Sequence, residues 1–431
     1  MSSGFDAIVI GAGPAGSSAA ILLADAGWRV ALVEKQAYPR RKVCGECISA
    51  TNLPILDLLG IGHAVARLAG RPLRQLALVC GARIVRAPLP AYADPVHRWG
   101  VAIGREHLDT LLLEQARCRG VAVFQPWQVC AIAGTPGHFE CRLRQADAGE
   151  ERLLAVSLVI DAHGSWEPPI RREGGRAAPQ ACPHRPSDLF AFKANFARTS
   201  LEPGLLPVLS FPGGYGGIVN TDGARATFAF CLRRDALTKA RSQFPRMKPA
   251  EAAQCWVRRH SGAAAALLDD GVQLGKWLGA GPIRPGIHLG KRDDVIFRIG
   301  NAAGEAHPII GEGISMALQS AVLLVDTIVR HGTQGVDGPA QLRIHAAYAD
   351  AWHRHFARRI RLSALYAQLA MRPHVFSGLL SAVEHKPALL TRLARWCGKV
   401  RPGPGFAERE GDRICVSRKK MPGHTDHHPK E

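Results

Sequence analysis

The chain has 431 residues, of which 47% are hydrophobic and 21% charged, and this length suffices to bury a large core in two or three lobes. No uninterrupted apolar stretch is long enough to cross a bilayer, and the first strand begins too early for a signal peptide, so we expect a cytoplasmic protein. The net charge is +19, but no nucleic-acid-binding motif accompanies it, so nucleic acid is not expected as a partner. A solvated basic surface is the favoured interpretation, and contact with an anionic membrane surface or an acidic carrier protein stays open.

A glycine-rich motif follows the first apolar run of the sequence. Its residues are Gly11, Gly13, Pro14, Ala15 and Gly16, and a helix-like stretch continues from them. In a strand–turn–helix unit the first glycine permits the tight turn, the second lets the backbone approach a pyrophosphate, and the third lets helix and strand pack closely. The helix N-terminus adds unpaired N–H groups and a partial positive charge. The motif therefore predicts a dinucleotide-type cofactor.

The second apolar run ends in Glu34, which is followed by Lys35. At this distance from the glycine motif a carboxylate can accept hydrogen bonds from the hydroxyls of an adenosine ribose. The basic loop beyond it carries Cys44, Glu46 and Cys47. A Cys-x-x-Cys pair can cycle between thiol and disulfide, but two reduced thiols packed beside the cofactor are the simpler interpretation. No second pair of cysteines or histidines completes four ligands, so we expect no metal.

The middle of the chain continues the cofactor domain and then becomes β-rich. Arg105 opens a helical stretch, and we expect its side chain to lie along the cofactor. Aromatic and β-branched runs between residues 189 and 232 predict the strands of an inserted domain. Seven aromatic residues on these runs would form an apolar wall over the cofactor, with strand alternation turning some of them away: Phe190, Phe192, Phe196, Phe211, Tyr215, Phe228 and Phe230.

Two segments between residues 300 and 314 complete the predicted cofactor site. Gly300 and Asn301 end a strand, where a polar side chain can reach a ribityl hydroxyl. The next loop starts an apolar helix, whose N–H groups and dipole would stabilise negative charge on a reduced flavin. The loop residues assigned to the cofactor are Pro308, Gly311, Glu312, Gly313 and Ile314. Together with the glycine motif and the acid that ends the second strand, these segments predict FAD.

The chain resembles the flavoprotein superfamily of aromatic-ring hydroxylases, geranylgeranyl reductases and flavin-dependent halogenases. The resemblance is carried by the glycine motif with Glu34 and by residues 41–46, 105–109, 162–165, 212–216 and 300–313. The Lys-Val-Cys-Gly-Glu run that ends at Glu46 and the Pro-Gly-Gly-Tyr-Gly run around Tyr215 are most similar to the geranylgeranyl-reductase-like branch.

The resemblance implies an α/β fold. We expect a Rossmann-like FAD-binding domain of the glutathione-reductase type, an inserted β-sheet substrate domain and C-terminal helices. The expected FAD-binding domain is discontinuous, comprising residues 1–80, 101–166 and 285–335. Residues 81–100 and 167–284 are assigned to the substrate domain, 336–400 to the C-terminal helical region and 401–431 to a mobile tail.

Two positions depart from the pattern of the superfamily. Asn301 stands where an Asp is usual, and His163 with Gly164 stands where the hydroxylases have an Asp-Gly pair linked to FAD and NADPH. The chain contains no second Gly-x-Gly-x-x-Gly motif, so a separate nicotinamide domain is not expected. Electrons would come from NAD(P)H that docks transiently or from a reduced electron-donor protein.

The resemblance implies an FAD-dependent oxidoreductase. The first hypothesis is a monooxygenase that acts through a flavin C4a-hydroperoxide on a largely apolar aromatic, polyketide or polyene substrate. The alternative is saturation of C=C bonds in a prenyl or polyene chain. A flavin-dependent halogenase or a non-catalytic electron-transfer flavoprotein comes third. The candidates for a catalytic group are His163, Glu46 and Lys193, chosen by expected proximity, although a lysine on such a strand more often faces solvent.

Overall fold

The computed structural model describes residues 4–146, 148–165, 172, 184–289, 295–331 and 337–396. The tail expected at 401–431 lies outside these residues. The strands are, in chain order, β1 (Phe5–Ile10), β2 (Val30–Val33), β3 (Cys47–Ile48), β4 (Gln75–Cys80), β5 (Arg83–Pro88), β6 (Val101–Ala102), β7 (Ala122–Phe124), β8 (Trp127–Thr135), β9 (His138–Gln145), β10 (Glu151–Asp161), β11 (Leu189–Ala197), β12 (Leu205–Phe211), β13 (Gly214–Asn220), β14 (Ala226–Arg233), β15 (Val272–Ile283), β16 (Gly286–Ile287), β17 (Phe297–Arg298) and β18 (Gly304–Glu305).

The helices alternate with the first strands and then gather at the C-terminal end. They are α1 (Pro14–Asp25), α2 (Leu53–Leu58), α3 (Gly62–Leu68), α4 (Arg105–Cys118), α5 (Arg234–Gln243), α6 (Pro249–His260), α7 (Gly262–Leu267), α8 (Gly313–Arg330), α9 (Gly338–Trp352), α10 (Arg358–Ala370), α11 (Pro373–His385) and α12 (Ala388–Trp396). A π-helical turn, His353–Ala357, joins α9 to α10.

The first sheet carries the cofactor motifs. Its strand order is β7-β2-β1-β10-β9-β8, and β17 pairs with the end of β10. The pairs β1–β2, β1–β10, β2–β7 and β10–β17 are parallel, whereas β8, β9 and the first half of β10 form an antiparallel meander. The central strands β1 and β2 are almost entirely buried, because helices such as α1 and α8 pack on one face and side chains of β8 and β9 pack on the other. The carboxyl ends of β1, β2, β10 and β17 therefore meet at one edge.

The second sheet, of order β15-β11-β14-β13-β12-β4-β5, has two differently covered faces. One face packs with α5, α6 and α7 around residues such as Phe228 and Trp256. The other face, which includes Tyr215 and Cys231, packs with α10, α11 and α12. Strand β4 belongs to this sheet through its pairing with β12 and β5, although it lies inside the range 1–80 that we assigned to the FAD-binding domain. Sequence order alone misplaced that boundary, because β4 enters the second sheet before the chain returns to the first.

Among the described residues, one helix is apolar and long enough to cross a membrane by length and composition, namely α8. However, 78% of its apolar window is buried in the structure. It packs against α1 in the core of the FAD-binding half. Its burial is that of a core helix.

Candidate functional site

A cavity of about 940 Å³ lies between the two large sheets and extends to the C-terminal helices. Of the sixteen residues assigned to the cofactor, all except Gly16 and Glu312 line it. His163 and Glu46 also border the cavity, whereas Lys193 does not. The structure therefore brings sequence segments that are up to 300 residues apart to the edge of the sheet where a cofactor of this fold binds.

The three motif glycines have different surroundings. Gly11 has a φ of +99°, and a Cβ there would lie 2.8 Å from the carbonyl oxygen of Ala162. A Cβ on Gly16 would lie 1.8 Å from the carbonyl oxygen of Gly11. Around Gly13 the nearest atom to such a Cβ is Nη2 of Arg105, at 3.8 Å. Gly11 thus permits the tight turn and Gly16 the close packing of helix and strand, while Gly13 presents its backbone to the cavity.

Glu34 is held at the end of β2 by backbone N–H groups. Its Oε2 accepts a hydrogen bond from the Ala12 N–H at 3.0 Å, and its Oε1 accepts one from the Gln36 N–H at 2.9 Å. The carboxylate is almost completely buried but borders the cavity. It is therefore fixed next to the glycine turn, in the position where the ribose of an adenine dinucleotide is bound in this fold.

Two guanidinium groups lie beside the start of α1. Arg105 donates from Nε and Nη2 to the two carboxylate oxygens of Asp109, at 2.7 and 2.8 Å. Burial lowers the pKa of Arg105, but the charge of Asp109 outweighs it and the pKa is raised. Nη2 of Arg40 lies 3.6 Å from Glu34 and 3.7 Å from Asp109, while its buried Nε has no partner among the described residues. Cationic N–H groups next to a helix N-terminus suit a pyrophosphate.

The N-terminus of α8 borders open space. Gly311 has a φ of +62° and ends a short 3-10 turn that begins at Pro308. A Cβ at Gly313 would have no atom within 4 Å, and the same holds for Gly45 on the cysteine-bearing loop. Both glycines line the cavity. A planar ring system could therefore contact the backbone at both places, with the partial positive charge of α8 directed at it.

Asn301 is part of a partly buried polar network. Its amide nitrogen donates to Oγ of Ser165 at 2.6 Å and to Oε1 of Glu305 at 3.3 Å, and Ser165 donates to the same oxygen at 2.7 Å. Burial raises the pKa of Glu305, and the hydrogen bond from Ser165 partly offsets this. An Asp at position 301 could not donate to Glu305, which gives a local reason for Asn at this position. The Asn301 carbonyl oxygen can still accept a hydrogen bond from a hydroxyl.

Glu46 and Lys193 form a buried ion pair between the cysteine-bearing loop and β11. Oε1 of Glu46 also accepts from the Arg105 N–H at 2.9 Å, and its Oε2 accepts from the hydroxyl of Thr227 at 2.5 Å. Neither side chain of the pair is exposed. Lys193 therefore points into the protein, contrary to the expectation that a lysine on such a strand faces solvent. These contacts indicate that both residues hold the loop against the substrate sheet. Cys44 beside them is a free thiol.

His163 lies at the cofactor end of the cavity. Its Nδ1 is 2.5 Å from Oδ1 of Asp161, and its backbone N–H donates to the same oxygen at 3.1 Å. Its backbone nitrogen lies 3.4 Å from the place that a Cβ on Gly11 would occupy. This position suits contact with the cofactor phosphates better than contact with a substrate.

The sequence analysis did not identify the contact between Tyr215 and His307 as part of the site. The hydroxyl of Tyr215 lies 3.1 Å from Nδ1 of His307, the residue before Pro308. Burial lowers the pKa of His307 to about 4 and raises that of Tyr215 well above its usual value. Both groups are therefore neutral at neutral pH. Tyr215 borders the cavity next to the loop that starts α8.

The aromatic wall that the sequence suggested is largely turned away from the cavity. On β11, Phe192 and Phe196 pack towards α5–α7, whereas Ala191, Lys193 and Asn195 have the opposite parity. Phe211, Phe228 and Phe230 belong to the same core under α5–α7, and Phe190 packs against it. Phe192 and Phe230 still border the cavity, but Tyr215 is the member of the set on the face towards α10–α12.

The end of the cavity away from the glycine motif is lined by aliphatic side chains. They come from strands β4 and β12 and from helices α10, α11 and α12, and include Leu76, Leu206, Leu369, Leu379, Val383 and Leu390. No charged residue of α10–α12 lines the cavity within the described chain. The substrate part of the site is therefore suited to a large apolar molecule.

Comparison with known proteins agrees with the cofactor that these residues fit. The FAD binding domain family matches residues 5–188. Menaquinone reductase of Mycobacterium tuberculosis is 30% identical over 173 residues, which are 40% of this chain and 40% of that protein. The alignments with the first curated relatives span only 30% to 40% of the length of those proteins.

Solved structures show the same fold over most of the chain. The myxobacterial chondrochloren halogenase CndH has a TM-score of 0.69 and 18% identity, over 93% of this chain and 98% of that one. PqsL, a probable FAD-dependent monooxygenase from Pseudomonas aeruginosa, has a TM-score of 0.67 and 18% identity, over 88% of this chain and 100% of that one. These structures confirm the expected α/β fold, and the family match over residues 5–188 confirms FAD as the cofactor. Residues 5–188 match the FAD binding domain family, so the chain is an FAD-binding protein.

Proposed function

We propose that the protein is an FAD-dependent monooxygenase that acts on a large, mostly apolar substrate. The observation that carries the proposal is the continuity of the cavity, which runs from the glycine motif past Tyr215 to the aliphatic lining under α11 and α12. An apolar site that adjoins the cofactor excludes water from the reacting atoms, which an oxygen-transfer reaction requires. The fold shared with PqsL supports this reaction class.

The residues of the chain have distinct tasks in this proposal. When it is bound, FAD supplies the two-electron chemistry and the reaction with oxygen. Arg105 and the start of α1 hold the pyrophosphate, and Glu34 holds the ribose. The N-terminus of α8 stabilises negative charge at the ring, and Tyr215 donates or accepts a proton beside the loop at His307. The substrate is positioned by shape, because the aliphatic lining offers it few polar contacts.

Saturation of C=C bonds in a prenyl or polyene chain is the second candidate, and the Tyr215–His307 pair favours it specifically. Such a reaction needs a proton for one carbon after hydride has reached the other, and Tyr215, whose hydroxyl carries its proton at neutral pH, borders the cavity where that carbon would lie. The similarity to menaquinone reductase supports this candidate. Lys193, which we considered as a catalytic group, is paired with Glu46 and does not line the cavity, so it does not support halogenation.

In either reaction the electrons come from an external donor. The chain has one Gly-x-Gly-x-x-Gly motif, which the FAD-binding domain uses. We propose that NAD(P)H docks transiently or that a reduced protein supplies the electrons.

Product analysis of a single turnover tests these proposals. The FAD-loaded protein is photoreduced without oxygen, mixed with a panel of long-chain aromatic and polyene compounds, and divided into anaerobic and isotopically labelled oxygen samples. A product that gains one labelled oxygen atom, formed only in the aerobic sample, supports monooxygenation. A product that gains two hydrogen atoms in the anaerobic sample overturns it in favour of saturation. The Tyr215→Phe variant serves as a control for the proton-transfer role.

A further inference from the structure

Two apolar stripes on the C-terminal helices face outwards. Val375, Leu379 and Ala382 on α11 are all exposed, the first two at 48% and 43%. Leu389 and Trp396 on α12 are 41% and 60% exposed, and the half-buried Leu393 lies between them. Within each helix the three residues follow the spacing i, i+4, i+7, which places them on one face. Such exposed stripes on adjacent helices form an apolar patch of the kind that marks an interaction surface.

The opposite faces of these helices are packed against the substrate sheet. Phe376, Leu380 and Val383 of α11 and Leu390 of α12 are buried in one core with residues of β4, β5 and β13. Arg83 on β5 donates to the carbonyl oxygen of Ser377 and forms an ion pair with Glu384. The helices are thus fixed in an orientation that leaves the stripes outside.

The stripes surround an opening of the cavity. Leu379, Ala382, Leu389 and Leu393 line the cavity and are at the same time wholly or partly exposed. The aliphatic end of the cavity therefore reaches the surface between α11 and α12. An apolar molecule could pass from this patch to Tyr215 along aliphatic side chains.

The surroundings of the patch are strongly basic. Residues 353–396 contain eight Arg and Lys side chains and one acidic residue, Glu384. That acid is paired with Arg83. Arg372, Lys386, Arg392 and Arg395, which lie within or next to the two helices in sequence, are exposed, as are Arg354, Arg358 and Arg361 on the preceding helical segment. A second copy of the chain would bring the same charge to this face, which disfavours self-association there.

We propose that the α11–α12 face docks on an anionic lipid bilayer, with the two stripes in the acyl region and the cavity open to the membrane. Apolar side chains surrounded by Lys and Arg have the composition of a surface that binds anionic membranes. Each basic residue near such a surface adds about fivefold in affinity, because anionic lipids attract it. The corollary that substrate enters from the bilayer rests on the proposed function, whereas the docking does not.

Vesicle flotation of the full-length, FAD-loaded protein tests the docking without any substrate. We expect the protein to float with phosphatidylglycerol–phosphatidylcholine vesicles and to be released by high salt. The variant pair Val375→Glu/Trp396→Glu should lose binding, while Val272→Glu/Leu153→Glu, at comparably exposed positions (50% and 66%) on other elements, should retain it. Arg392→Gln/Arg395→Gln should weaken binding about 30-fold, and Lys239→Gln/Arg241→Gln on α5 should weaken it much less.

Several outcomes would overturn the proposal. One is absence of flotation with anionic vesicles, and another is equal loss of binding in the test and control pairs. A third is a change in oligomeric state caused by Val375→Glu/Trp396→Glu, which would assign the patch to a second copy. FAD content and thermal unfolding verify that each variant is folded. Because binding is measured without turnover, its failure leaves the product analysis intact, and a negative product analysis leaves the docking result intact.

Discussion

The ammonium of Lys193 on β11 pairs with the carboxylate of Glu46 at a site where neither side chain is exposed. The pair connects the substrate sheet to the loop that carries Cys44, and the Arg105 N–H and the Thr227 hydroxyl complete the hydrogen bonds of the carboxylate. Removing one member of such a buried ion pair strongly destabilises the folded state, because the remaining charge stays buried without a partner. The contact therefore couples the cofactor side of the cavity to the substrate side.

Glu46→Gln should lower the free energy of unfolding by about 3–5 kcal/mol, because it leaves the Lys193 charge buried and unpaired. Glu46→Gln combined with Lys193→Met should recover much of that loss. Urea unfolding of the FAD-free proteins measures both. Glu202→Gln, which breaks the exposed pair with Arg86, is the matched control and should leave the midpoint almost unchanged. Equal destabilisation of the single and double variants would show that the pair is not coupled.

The cofactor half of the site follows from local sequence, and the substrate half does not. The glycine motif and Glu34 are placed by one strand–turn–helix–strand unit, so a short window of sequence contains the information that they need. The two residues Tyr215 and His307 are 92 positions apart, and their contact depends on how the second sheet sits over the loop before α8. Nothing in either local pattern identifies the partner.

Strand alternation explains the largest error in the substrate half. The run around Phe192 shows which residues share a face, but it does not show which of the two faces borders the cavity. The sequence predicts an aromatic wall of the cavity with some members turned away, but alternation alone does not identify those members. In the structure, helices α5–α7 pack on most of the aromatic side chains. Lys193 points into the protein, where it forms an ion pair with Glu46.

Asn301→Asp should destabilise the protein and weaken FAD binding, because the new carboxylate repels Glu305 instead of donating to it. The loss should be about 1–3 kcal/mol, because the Asn301 donor to Glu305 is lost and the Ser165 hydroxyl alone still donates to that oxygen. Burial already raises the pKa of Glu305, so the folded state binds a proton more tightly than the unfolded state. The added carboxylate raises that pKa further, and the destabilisation should therefore grow as the pH rises and shrink on acidification.

Unfolding midpoints and FAD titrations across the acidic to neutral range measure this effect. Asn301→Ala is the matched control, since it removes the same donor without adding a charge. Its effect should depend much less on pH. If Asn301→Asp and Asn301→Ala gave parallel pH profiles, electrostatic repulsion from position 301 would not be the cause.

Gly313→Ala should leave the FAD-free protein folded and weaken FAD binding. A Cβ there would meet no protein atom within 4 Å, so its methyl group would occupy only the space in which we place the flavin ring. The loss of affinity should be about 1–3 kcal/mol, as for an added methyl group in a filled site. Gly262→Ala at the start of α7 is equally unobstructed and does not line the cavity. Fluorescence titration should show reduced affinity for the first variant alone.

Tyr215→Phe should lower turnover about a hundredfold or more while the FAD content stays unchanged, because it removes the hydroxyl and keeps the ring. The free energy of unfolding should fall by only about 1 kcal/mol, the net value of one hydrogen bond. Single-turnover rates and flavin absorbance measure the two effects separately. A variant with an unchanged rate would remove Tyr215 from the proposed proton transfer.

His307 should make the stability of the protein fall on acidification. Burial lowers its pKa from 6.5 to about 4, so between these two values the unfolded state binds a proton that the folded state does not. The stabilisation by the neutral imidazole is therefore complete above about pH 6.5 and declines as the pH falls towards 4. His307→Gln removes this titration and should flatten the decline over that window, measured by urea unfolding at several pH values. His374→Gln, at an exposed position on α11, is the control and should follow the unmodified protein, because it removes an imidazole that lies outside the buried pair with Tyr215. A His307→Gln profile parallel to that of the unmodified protein would mean that other groups cause the decline.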